Sequence, residues 1–227
     1  MIKQSRKCRL TTVAALACIG LALPAADAGA AMVVSTFDTD ADGWTATGDV
    51  ESQIPVWLAA GGNPGGTIEV DDSTTGGVWY FEAPSKFKGD QSLAHGRTLS
   101  FDLYQRGSGP QFERADVILQ GAGLILELDA GPSPLPLETW QSYSVLLAAA
   151  SGWTVAGGAA ASDAQMLAVL GDLQRLRIRG EFITGTDFGR IDNVRLDAVP
   201  VPPALPLLAG AMAALAAVAR RRRSGHP

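Results

Sequence analysis

Thiols are missing from the body of this chain. Its two cysteines, Cys8 and Cys18, both fall in the first twenty of 227 residues. Everything beyond them is therefore without disulfides, thiolate nucleophiles or thiolate metal ligands, and must be held by its core alone. Histidine is almost as scarce, with His95 the one example between Met32 and Ala198. That excludes a histidine-rich metal centre and leaves nucleophilic triads a single candidate, in a turn-like stretch beside Gly96. Glycine-rich phosphate loops, internal repeats and βαβ alternation are also lacking.

Positive charge is short in the body. Of 18 Lys and Arg residues, four lie in the first ten positions and four are Arg220–Arg223, whereas among the 23 acids only Asp27 lies in an end segment. Residues 32–198 thus carry ten basic and 22 acidic side chains, a net charge of −12. Such a body repels phosphate backbones and anionic lipid, which argues against nucleic acid as a partner. It suits solubility outside a cell, or calcium.

The first thirty residues read as a secretory signal peptide. "MIKQSRKCRL" is a basic n-region, "TTVAALACIGLALP" an apolar stretch, and "AADAGAA" offers small-residue cleavage sites after Ala28 or Ala30. Lipidation at Cys18 is the weaker alternative, because apolar sequence continues past it to Leu23.

The body, residues 32–197, is a succession of short β-type runs broken by Gly, Pro, Asn and Asp. In "LSFDLYQ", Leu99, Phe101 and Leu103 alternate with Ser100, Asp102 and Tyr104, as an antiparallel strand with one wet face requires. "RLRIRGEF" predicts Leu176, Ile178 and Phe182 inward, with Arg175, Arg177, Arg179 and Glu181 outward. "SDAQMLAVLGDL" breaks the rhythm: Ser162 and Gln165 have capping-box spacing, and Met166, Val169, Leu170 and Leu173 recur at helical intervals. The expected class is all-β, a sandwich with one short helix.

Four stretches, "WYFEAPSKFKGDQSLAHGRTLSFDL", "ADVILQGAGLILEL", "WQSYSVLLAAASGW" and "LQRLRIRGEFITGTDFGRIDNVRL", together resemble the laminin B (laminin IV type A) domain in its bacterial form. The resemblance runs from about Ser35 to Leu196, with His95 where the family pattern usually has an aromatic. It implies a jelly-roll β-sandwich akin to carbohydrate-binding modules, non-catalytic and extracellular. No enzymatic residues carry over. The tail "VPVPPALPLLAGAMAALAAVARRRR" resembles a PEP-CTERM sorting signal of the Val-Pro-Leu-Pro-Ala variety. In it Val199, Pro200, Val201, Pro202, Pro203 and Ala204 stand at the motif, Val201 in place of Leu and Pro203 in place of Ala. Such signals imply an exosortase-type membrane protease as partner, in a Gram-negative bacterium that makes exopolysaccharide.

Physical chemistry points the same way. Residues 204–219 form an uncharged apolar run of 16 residues, about 24 Å as a helix at ~1.5 Å per residue. Arginines that snorkel extend that reach across the membrane. Arg220, Arg221, Arg222 and Arg223 should stay cytoplasmic, which puts the body on the far side of the inner membrane, where the signal peptide also sends it. A plain, uncut C-terminal anchor is the alternative reading of residues 199–223.

Three chemistries are then open to the body. "DTDADGWTATGD" places Asp38, Asp40, Asp42, Gly43 and Asp49 at calcium-loop positions, although Asp49 stands where the loop wants Glu. A structural calcium between the first and last strands, held by Asp38 or Asp40 with Asp192, is the second form of that idea. The Arg175, Arg177, Arg179 stripe spans about 13 Å at ~3.3 Å per residue. It could grip uronate or sulfate of an acidic polysaccharide, or simply pair with neighbouring acids. Tyr80 and Tyr104 are candidates for an exposed sugar-stacking face, Trp79 and Phe81 for the core. Glu113 with Asp116, or Glu127 with Asp129, are the pairs a glycosidase reading would use.

Overall fold

The structure is a computed structural model and describes residues 32–74, 76–132 and 135–198. Both predicted end segments, 1–30 and 199–223, lie outside them. Alternating apolar side chains produce two antiparallel sheets of six strands each among the described residues. The first sheet holds β1 (Val33–Ser35), β3 (Val56–Leu58), β4 (Thr67–Asp72), β6 (Thr98–Gly107), β9 (Gln141–Leu146) and β12 (Asp187–Leu196). Its hydrogen-bonded order is β3-β4-β12-β6-β9, with β1 paired to the far end of β12. The second sheet holds β2 (Thr45–Gly48), β5 (Trp79–Glu82), β7 (Val117–Gly121), β8 (Leu124–Leu128), β10 (Thr154–Val155) and β11 (Leu173–Arg179), in the order β10-β8-β7-β11-β5-β2.

This is the jelly-roll β-sandwich the sequence predicts. Leu99, Phe101 and Leu103 of β6 meet Leu176 and Ile178 of β11 in one core, together with Trp79, Phe81, Trp153 and Ile191. With no disulfide in the body, this apolar area does the holding. The helix α1 (Asp163–Gly171) starts on the predicted capping box: Ser162 Oγ accepts from Gln165 N at 3.2 Å, and Gln165 Oε1 accepts from Ser162 N at 2.9 Å. Met166, Val169 and Leu170 are its buried face, while Leu173 already belongs to β11.

One contact fixes the end of the sandwich. A Cβ on Gly180, just past β11, would fall 1.8 Å from the Trp79 ring. Glycine lets the chain pass flat against the indole there and turn back toward β12.

Candidate functional site

Cross-strand register decides which side chains share a face. On the outer face of the second sheet, one row reads Thr45, Glu82, Arg177, Ile118, Glu127, Thr154 across six strands. Thr47, Tyr80 and Arg179 form the row beside it. Arg175, Gln120 and Ile125 form the third. The predicted stripe is thus real as geometry, but its three arginines have different fates.

Arg175 is exposed and stands 3.8 Å from Glu82 Oε2, a carboxylate that also takes 2.9 Å from Lys88 Nζ. Arg177 is half-buried, with its guanidinium 5.5 Å from the Tyr80 ring centre. Arg179 does not share this surface, for it is only 1% exposed. The segment 111–116 crosses over it and turns two carbonyls inward, so that Arg179 donates to Phe112 O at 2.5 Å and Arg114 O at 3.2 Å, and it also donates to Glu181 O, two residues on, at 2.5 Å. Asp116, 2% exposed, pairs with it at 3.4 Å. Period-two spacing correctly aims Arg179 outward, but a loop closes over it, making it an internal strut.

Tyr80 is likewise less open than its alternation implies, at 8% exposed. Burial raises its phenol pKa although Arg179 and Arg177 lie near. Tyr104 lies on the opposite sheet, so the predicted aromatic pair is split between two faces. Beside Tyr80, three buried polar atoms on the outer rows have no hydrogen-bond partner among the described residues: Thr47 Oγ1, Glu82 Oε2 and Arg177 Nε. Unsatisfied polar atoms of this kind are expected where a ligand or ordered water completes the hydrogen bonding.

The apparent calcium loop is dismantled by the fold. Asp42 is tied to Lys86, whose ammonium also donates to Val34 O, and Ser35 Oγ donates to Asp42 Oδ2 at 2.7 Å. Asp40 Oδ1 accepts from Asp42 N at 2.7 Å, and Asp49 Oδ2 from Gly76 N at 2.7 Å. These acids cap turns and staple β1. Among the described residues no three His, Cys, Asp or Glu gather closely enough to hold a metal ion on their own.

Asp38 and Asp192 do approach one corner. A Cβ on Gly65 would fall 2.4 Å from Asp38 Oδ1, and one on Gly62 would fall 2.6 Å from Asp192 Oδ2. Asp192 is buried and accepts from Asn63 N and Asn193 N, both at 2.6 Å. Burial, with Asp102 and Asp38 close by, pushes its carboxyl up to about 6. Asp40 takes no part.

Of the carboxylates in the glycosidase reading, Asp116 is spent on structure. Asp116 Oδ2 accepts from Ala130 N at 2.9 Å and Gly131 N at 2.7 Å, in addition to its ion pair with Arg179. Asp129 is pushed up to about 6 by burial and by Asp116, with which it shares a hydrogen bond. That arrangement leaves Asp116 no free oxygen for acid–base work.

Sequence reasoning missed a third carboxyl group of the fold. Asp72, Glu181 and Asp187 are 1%, 6% and 3% exposed and cluster where the sheets close. Asp187 lies opposite Asp72 across β12 and β4. Glu181 accepts from Trp79 N at 3.2 Å. Burial, Asp72 and Asp49 push Glu181 up to about 7 against the pull of Arg179. Burial, Glu181 and Asp72 push Asp187 up to about 7 as well. No pattern in "GEFITGTDFG" marks these acids as internal.

The described residues thus form a cysteine-free jelly-roll module with polar and aromatic outer faces. The family model for Laminin B (Domain IV) matches residues 80–206, and the chain belongs to that family. Human laminin subunit gamma-2 is 32% identical over 172 residues, which are 72% of this chain and 13% of that protein. Zebrafish (Danio rerio) laminin subunit gamma-1 is 28% identical over 176 residues, 77% of this chain and 11% of that protein. The chain therefore spans a small part of the curated relatives it matches. Among solved structures, the L4b domain of human laminin alpha-2 superposes with a TM-score of 0.51 at 15% identity, covering 59% of this chain and 80% of that one.

Proposed function

We propose that this chain is an exported, non-catalytic module of a bacterial surface or extracellular matrix, which contacts polysaccharide or matrix protein through the outer face of its second sheet. The observation that carries the reading is the cluster on that face. Tyr80 and Arg175 adjoin three buried polar atoms, Thr47 Oγ1, Glu82 Oε2 and Arg177 Nε, that have no hydrogen-bond partner among the described residues. A chain of hydroxyls can donate to Glu82 Oε2 and accept from Thr47 Oγ1 and Arg177 Nε, and a carboxylate can meet the exposed Arg175. The test is retention of the protein on immobilised acidic and neutral polysaccharides, with Arg175→Gln/Arg177→Gln as the variant. Weakened retention with unchanged melting supports the reading, and unchanged retention refutes it.

Delivery is the second part of the proposal. The tail, from Val199 to Arg223, is a temporary anchor and address, cut by an exosortase-type protease before release or attachment. Its support is the residues themselves: a proline-rich motif, an apolar run and an arginine quartet in that order. Among the described residues no helix is long and apolar enough to cross a membrane, and residues 204–219 lie outside them. The mass of the mature C-terminus from native cells decides it, since an intact tail refutes cutting.

Calcium is the third part. Asp38 and Asp192, with the buried negative charge of Asp102 behind them, fit a hard cation that would also draw on backbone oxygens. Bound there, it would neutralise the corner where β1 and β12 meet the 59–66 loop. Calcium should raise Tm and chelator lower it, and a Tm indifferent to both removes the idea.

A further inference from the structure

The first sheet carries a surface that the reading above does not use. Its outer face has one row of Tyr104, Arg190, Glu69 and Val56, and beside it a row of Arg106, Phe188 and Asp71. Trp140, just before β9, adds its ring 5.7 Å from that of Tyr104, which in turn lies 5.9 Å from Phe188. The Arg106 guanidinium sits 3.9 Å over the Phe188 ring, and that of Arg190 sits 5.3 Å from it. An aromatic strip roofed by two guanidiniums results, across β9, β6 and β12. At ~4.8 Å between strands it is about 10–15 Å long.

Its hydrogen-bonding state is one-sided. Arg106 is exposed and makes no ion pair among the described residues. Arg190 spends only its Nε, which donates to Glu69 at 2.6 Å. Among the described residues neither the Trp140 indole N–H nor the Tyr104 hydroxyl is given a hydrogen bond, and both residues are half-buried. The strip thus offers donors and positive charge at its β6–β9 end. The acids Glu69 and Asp71 lie toward the opposite edge, on β4, and Glu69 is already paired. On a body of net charge −12, an uncommitted guanidinium over an aromatic ring is a place for an anion on an apolar backbone.

We infer that Trp140, Tyr104, Phe188, Arg106 and Arg190 form a second seat, for an acidic polysaccharide, on the face opposite Arg175 and Arg177. The apolar faces of two sugar rings lie on Tyr104 and Trp140, and a uronate carboxylate meets Arg106. With one seat on each sheet, the module bridges two polymer chains without contributing any chemistry of its own. This rests on the extracellular reading above but not on its binding face.

The test uses the purified full-length chain with polygalacturonate, and its methyl ester as the uncharged control. Arg106→Gln should weaken polygalacturonate binding about tenfold, the worth of one charge-assisted contact, without a change in Tm. Trp140→Ala should weaken it as well, and Arg175→Gln/Arg177→Gln should leave this seat intact. The wild-type chain should aggregate polygalacturonate, and Arg106→Gln should abolish aggregation. Wild-type chain that ignores polygalacturonate, equal binding of the methyl ester, or an Arg106→Gln variant that binds and aggregates normally would each overturn the inference. Loss of binding only in Arg175→Gln/Arg177→Gln would overturn it too, while leaving the proposed function standing.

Discussion

Asp187 should make this protein less stable as pH rises through neutrality, the reverse of ordinary acid denaturation. Its carboxyl sits with Asp72 and Glu181 at the closed end of the sandwich, and Asp187 and Glu181 are each pushed up to about 7. The unfolded chain releases the same protons near the usual carboxylate values, about 4. Between pH ~4 and ~7 the folded state therefore holds protons that the unfolded state has lost, and stability falls with pH in that window. Below it both states are protonated and nothing is lost; above it the whole penalty is present.

At ~1.4 kcal/mol per pKa unit, a displacement of roughly three units makes each ionised carboxyl cost about 3–4 kcal/mol. The two costs overlap, because part of each is repulsion by the other, so the pair together comes to about 5 kcal/mol. Asp187→Asn removes one ionisation and keeps the shape. Urea unfolding at pH 5 and pH 8.5 reads the result: wild type should lose most of that amount, and the variant about half. At pH 8.5 the variant should be the more stable, by about 3 kcal/mol, or roughly 6–12 °C in Tm for a domain this size. At pH 5 the gap should shrink to about 1.5 kcal/mol, and below pH ~4, where both states hold the proton, the two should nearly coincide. Equal pH slopes in wild type and variant would show that no proton is held at this site and would refute the reasoning.

Two further outcomes follow from the packing. Arg179→Met leaves Asp116 buried and unpaired and abandons three carbonyls, so it should cost about 3–5 kcal/mol in urea unfolding; a loss under 1 kcal/mol would return Arg179 to the surface stripe. Ser162→Ala removes the Oγ arm of the capping box and leaves Gln165 Oε1 on the backbone N–H; it should cost about 1 kcal/mol, read as a Tm fall of a few degrees, with no change expected in polysaccharide retention.

The architecture was legible because period and punctuation agree everywhere in the core. Leu99, Phe101 and Leu103 point inward as alternation says, and Ser162 and Gln165 start the helix as their spacing says. Both are local rules, acting within four or five residues. The site was only partly legible, since what happens to an outward-facing side chain is decided by segments far away in sequence. Alternation aims Arg179 and Arg177 at the same face, yet the 111–116 segment covers one and spares the other. Acidic spacing made Asp38, Asp40 and Asp42 look like one cation loop. Lys86, 44 residues further on, takes Asp42 away, and the acid that the fold brings near Asp38 is Asp192, 154 residues beyond it.

The same asymmetry explains why the buried acids escaped notice. A body with 22 acids invites the assumption that each is solvated, because an isolated carboxylate is costly to bury. Asp187 and Glu181 avoid that cost below neutrality by holding their protons, a state that "GEFITGTDFG" cannot announce, since it depends on β12 pairing with β4 and bringing Asp72 beside Asp187. Charge counted along a sequence is an upper bound on charge in the fold. The gap between the two is greatest where strands distant in sequence bring like charges into register, and that is where a proton or a cation is needed to complete the structure.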